Sequence, residues 1–175
     1  MTFKTENRSQ TLFALFLIIS GMALRLLPHP SNFTPITAIA LFSGGLFPAA
    51  LALTVPLLLM IGSDILIGPH DLFILTWGCF FLVSLIGLRI KNNLNPGKIF
   101  YGTLAGASIF FIVTNLGVFL FQSMYSKTWA GLGQCFWLAL PFFRNSLAGD
   151  LFYSFVLFGL FAVATKPAQK NAFGK

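Results

Sequence analysis

Pro141-Phe-Phe-Arg144-Asn145-Ser146-Leu-Ala-Gly-Asp150-Leu-Phe-Tyr153 opens the last long apolar segment of the chain, which runs on to Thr165. An arginine, an asparagine and an aspartate therefore stand where lipid would be the default solvent. A charge at that depth costs at least ~2.5 kcal/mol, so it is seldom there by accident. Two readings compete. Either Arg144 and Asp150 are an ion pair that only locks helices together, or they belong to a polar cavity built to hold a solute.

The composition around this stretch is that of a polytopic membrane protein. Hydrophobic residues make up 57% of the 175, charged residues only 9%, and there are 22 phenylalanines. A soluble domain carries about a quarter charged residues, so residues 1–175 read as a single membrane domain with no room for a soluble one. The net charge of +7 does not call for nucleic acid as a partner. Nearly all of the excess lies in the termini and one short loop, as the positive-inside rule expects. The sequence has no Walker A pattern, no GxGxxG and no HExxH. ATP hydrolysis and zincin chemistry are thereby excluded for this chain alone. Cys79 and Cys135 both fall in apolar segments, as buried thiols or ligands rather than a disulfide framework.

Taken in order, Met1 to Gln10 is polar and basic, and Thr11 to Leu27 is a first span ending in Arg25. Ser20-Gly-Met-Ala23 would pass as a signal-peptide cleavage site, but apolar character continues beyond it, so a retained span is expected. Pro28 to Pro35 holds three prolines, and its backbone is expected to be extended or turning. Ile36 to Phe47 is apolar but too short to cross, and Gly44-Gly45 with Pro48 are expected to end it. Such a short or broken helix is tolerable only if protein or a cavity shields its ends.

Ala49 to Ile67, with Pro56 as a kink and Asp64 near its end, and Leu72 to Ile90 are full spans joined by the turn Gly68-Pro69-His70-Asp71. Lys91 to Lys98 with Arg89 is a basic, cytoplasmic loop. Ile99 to Phe121 is a span carrying Gly102-x-x-x-Gly106 and Asn115. Ala130 to Leu140, bounded by Pro141, reads as a re-entrant or interfacial segment. Arg144 to Thr165 crosses last, and Lys166, Lys170 and Lys175 mark a cytoplasmic tail. The expected architecture is all-α: six transmembrane helices, the second short or broken, with both termini cytoplasmic.

This topology gathers the costly residues on one side. Arg25, His29, Asn32, Asp64, Trp77, Asn115, Arg144, Asn145, Asp150 and Tyr153 are all placed at the outer end. They form an outward cup roofed by the two irregular segments, the setting in which membrane proteins build sites between helices. Each residue also has a bland reading. His29 serves as a loop histidine, Asp64 as a cap on the Gly68 turn, and Trp77 and Tyr153 as belt residues. Asn115 as helix glue would contribute about 0.6 kcal/mol. The functional reading rests on convergence.

Three motifs carry a family resemblance. Arg25-Leu-Leu-Pro-His-Pro-Ser-Asn-Phe-Thr-Pro35, the SDxxxG stretch of Ser63, Asp64 and Gly68, and Pro-Phe-Phe-Arg144-Asn-x-x-x-Gly-Asp150 together resemble a group of small bacterial membrane proteins. Those proteins look like the substrate-binding S components of energy-coupling-factor (ECF) vitamin transporters, and the likeness runs over nearly the whole chain. It implies a vitamin site formed by outer loops and late helices, in the bacterial inner membrane. S components that dock on a shared energising module carry Ala-x-x-x-Ala in the first helix, whereas here Ala14 is followed four residues on by Ile18. That departure favours the solitary kind, similar to cobalamin (vitamin B12) transporters, in which a membrane cysteine ligates cobalt. The resemblance thus implies bound cobalamin as substrate, no intrinsic cofactor, and Cys79 beside Trp77 and Gly78 as the candidate cobalt ligand. A soft thiolate suits the metal, and the glycine would let a flat macrocycle approach.

Two other function classes stay open. An intramembrane enzyme would use Asp64, Asp150 and His29 as acid–base or metal groups, although no motif fixes a nucleophile. A structural subunit would pair its charges internally.

Overall fold

In hydrocarbon every backbone N–H and C=O must find a partner within the chain, and a helix supplies one segment by segment. The computed structural model describes residues 3–68 and 70–170, with side chains described for 8–68 and 70–165. Among these residues the chain is helical, without strands: α1 Phe3–Leu26, α2 Ile36–Leu46, α3 Ala49–Ile67, α4 Phe73–Ile90, a 3₁₀ turn at Lys91–Asn93, α5 Pro96–Phe121 and α6 Trp129–Lys170. Five of the helices are long and apolar enough to cross a membrane, and α2 is the short apolar one. A multi-pass helical membrane protein follows from that count. Pro69, Lys175 and the side chains of Lys166 and Lys170 lie outside what is described, so the expected turn is seen only in part and the basic tail not at all.

α2 is the post around which the others stand. It packs against α3, α4, α5 and α6, most extensively α4, while α1 leans mainly on α3. Ile36 to Gly45 are all buried, so its short length costs no exposed backbone ends to lipid. Close approach of helices comes from small residues, since lipid gives apolar side chains no reason to prefer each other. A Cβ on Gly44 would stand 2.2 Å from the Ser84 carbonyl oxygen, and one on Gly87 would stand 2.4 Å from that of Leu41. Gly102 and Gly106 of α5 likewise face Leu41 and Thr37 of α2, so the Gly-x-x-x-Gly pair seats α5 on the post.

Both ends of α2 meet charge of the sign that its dipole favours. Lys91 Nζ donates to the Phe47 carbonyl at its C-terminal end, 2.8 Å away, and Asp150 of α6 stands near its first turn, lining one cavity with Ile36 and Thr37. Elsewhere the local chemistry is familiar. Asn95 Oδ1 accepts from Lys98 N at 2.9 Å with Pro96 in the first turn, which starts α5 three residues before the expected Ile99. Gly68 stops α3 at φ +112°, a conformation side chains disfavour.

Three expectations need correction. Pro141 does not separate two segments, and no re-entrant piece precedes the last helix: Trp129–Lys170 is one helix of 42 residues. A proline forfeits one backbone bond, and continuing the helix through it is cheaper than leaving unpaired the several that a break would free. Gly44-Gly45 do not end α2 but lie within it, because they are packing surface. The first helix begins at Phe3 instead of Thr11. The stretch Pro28 to Pro35 is non-helical as expected, turning through Phe33 N to Pro30 O at 2.9 Å.

Candidate functional site

At the end opposite the Lys91–Asn95 connection, the helices part around two adjoining cavities. One, of about 210 Å³, is lined by Arg25, His29 and Asn32 at its rim and by Thr37, Ser146 and Asp150 deeper down. Its neighbour, of about 300 Å³, shares Asn32, Thr76, Phe110 and Ser146 and adds His70, Thr114 and Asn115. The irregular Pro28–Pro35 chain crosses this end, with Asn32 at φ 62°. Asparagine is among the few residues that tolerate that backbone.

Asp150 decides the character of the floor. It is 2% exposed, and its Oδ2 has no hydrogen-bond partner among the described residues. A carboxylate oxygen buried without a donor is costly and rare. Neither ion pair among the described residues includes it.

The expected partner, Arg144, is elsewhere: it is exposed and lines neither cavity. Six residues along a helix turn the side chain through about 120° net, so Arg144 and Asp150 cannot share one face. The helix-locking ion pair between them is therefore absent. Asn145 also lines neither cavity.

The lock lies between α1, α3 and α4 instead. Arg25 Nη1 is 2.6 Å from Asp64 Oδ1 and donates to Ser63 Oγ. Trp77 Nε1 donates to Asp64 Oδ2 at 2.7 Å, and His70 Nε2 lies 3.6 Å from the same oxygen. Asp64 and Trp77 line neither of the two cavities; they hold its wall. His29 places Nδ1 2.9 Å from the Pro30 carbonyl and Nε2 3.1 Å from that of Arg25, so both ring nitrogens are engaged by backbone.

Of the remaining candidates, Asn115 borders the second cavity while its Nδ2 donates to Phe111 O at 2.7 Å. Tyr153 packs on Phe33 at 5.7 Å and lines neither cavity. Cys79 is 1% exposed and lines neither cavity; the neighbouring Phe80 takes that place. Cys135 donates to Asn115 O at 3.4 Å, a packing role between α5 and α6.

The charges did not point to Thr37, Thr76, Ser146, Phe80 or Phe110. Ser146 was within reach, since it lies four residues before Asp150 and so on the same helix face. Among the described residues no three of His, Cys, Asp and Glu gather as a metal site.

No match is found among curated proteins or among solved structures. A family model matches residues 5–172, nearly the whole chain. The chain belongs to that family, a family of unknown function (DUF6580).

Proposed function

We propose that this chain is the solute-binding component of a vitamin-uptake system, resembling the S components of ECF transporters. In this reading six membrane elements, α2 being the half-length one, leave both termini in the cytoplasm of a bacterium and open the cavities outward across its inner membrane. Arg89, Lys91 and Lys98 cluster at the end opposite the cavities, which supports that orientation. The observation that carries the proposal is the unpartnered Oδ2 of Asp150 on the cavity floor. A hydrogen-bonding solute relieves that penalty, whereas a purely structural subunit gains nothing from retaining it.

The solitary form is the one supported. Ala14 is 2% exposed and turned into the molecule, so the alanine that would begin an Ala-x-x-x-Ala face is not on the surface of α1. The cavities suit a vitamin or other small polar solute. Cobalamin held through Cys79 would need the thiol at the cavity wall, where Phe80 stands instead.

Mass spectrometry of small molecules released from protein purified in native lipid tests the proposal. A stoichiometric solute from the wild type, lost from Asp150→Asn, is expected. Protein that carries none, and takes up none from cell extract, overturns it.

A further inference from the structure

Asp150 Oδ2 needs a hydrogen-bond donor, and nothing among the described residues supplies one. The other charges on the wall are already balanced, since Arg25 is held at 2.6 Å from Asp64. Asp150 is thus the cavity's one carboxylate, without a basic partner among the described residues. The apolar wall beside it is aromatic. Phe80 and Phe110 are stacked with centroids 5.4 Å apart, and both border the first cavity. Aromatic faces carry a negative quadrupole that attracts cations, more so where water is excluded. The opposite charge fits less well, because an anion would meet the Asp150 carboxylate in low dielectric.

From this juxtaposition we infer that the solute is a small organic cation. Its protonated nitrogen takes Asp150 Oδ2, and its apolar part lies along Phe80 and Phe110. The inference rests on the solute-binding reading of the same cavity and names the class of solute. Thr37 and Ser146, hydroxyls that border the floor, complete the polar surface around such a head group.

Benzylammonium, benzyl alcohol and benzoate share one ring and differ in the charge of the head group, which makes them suitable probes. Titration calorimetry on the full chain in lipid nanodiscs is expected to rank benzylammonium first, by about tenfold or more, as loss of a charge-assisted hydrogen bond implies. Asp150→Asn removes the preference and Arg144→Ala keeps it. Equal binding of all three, preference for benzoate, binding of none, or a preference that survives Asp150→Asn overturns the inference. The wild-type ranking decides alone if Asp150→Asn fails to fold. A copurified native solute without a protonated nitrogen would sink this inference and leave the binding reading standing. Protein that neither carries nor takes up any solute removes the binding reading itself.

Discussion

Gly44 and Gly87 meet backbone to backbone where α2 crosses α4: a Cβ on Gly87 would stand 2.8 Å from Gly44 Cα. Neither position has room for a methyl group without moving main chain. Gly87→Ala is therefore expected to destabilise by about 1–3 kcal/mol, the range for overpacked cores. Gly78→Ala and Gly159→Ala, where a Cβ meets nothing within 4 Å, should be near neutral. Thermal unfolding of the four proteins in one detergent checks the contrast. An equal loss at all three sites would mean that close approach is not what the glycines provide.

The Arg25–Asp64 pair makes a second prediction. Asp64→Asn leaves the Arg25 guanidinium, only 16% exposed, without a counter-charge and should cost about 3 kcal/mol. Trp77→Phe removes one bond to a charged acceptor and should cost about 1.5 kcal/mol. Unfolding in bicelles should preserve that order; the reverse order would make Trp77, and not Arg25, the partner that matters to Asp64.

Much of this was legible in the sequence, and the failures share a cause. Hydropathy located four of the five long helices and split the fifth, α6, at Pro141, while the prolines of Pro28 to Pro35 located the irregular chain over the cavity. That Arg25, His29, Asn32, Asn115 and Asp150 belong to one end followed from counting spans. Helical phase was the missing ingredient: Arg144 and Asp150 are near in sequence but point to different faces of α6, and it is Ser146, four residues back, that lines the cavity with Asp150. Hydroxyls such as Thr37 are unremarkable in apolar helices and announce themselves only through what they stand beside. Pro141 misled because its usual effect assumes water ready to solvate a broken backbone.

Cys79 offers a third test. Because it lines neither cavity, Cys79→Ser should change neither the copurified solute nor any visible absorption of the protein. The new hydroxyl is expected to bond to a carbonyl one turn earlier, with little loss of stability. A corrinoid spectrum in the wild type that reverts in Cys79→Ser would restore the thiol as a cobalt ligand.

Orientation can be read with a membrane-impermeant maleimide. Ser126 and Asn92 are exposed at opposite ends, while Cys79 and Cys135 are each 1% exposed. In intact cells Ser126→Cys should label and Asn92→Cys should not, until the membrane is permeabilised. The opposite pattern would turn the cavities toward the cytoplasm.

α2 has 11 residues, a rod of about 16 Å at 1.5 Å per residue, whereas the hydrocarbon layer is about 30 Å thick. Its N-terminal end floors the first cavity. The floor of the first cavity therefore stands only one α2 length, about half the thickness of such a layer, from the Phe47 end where Lys91 docks.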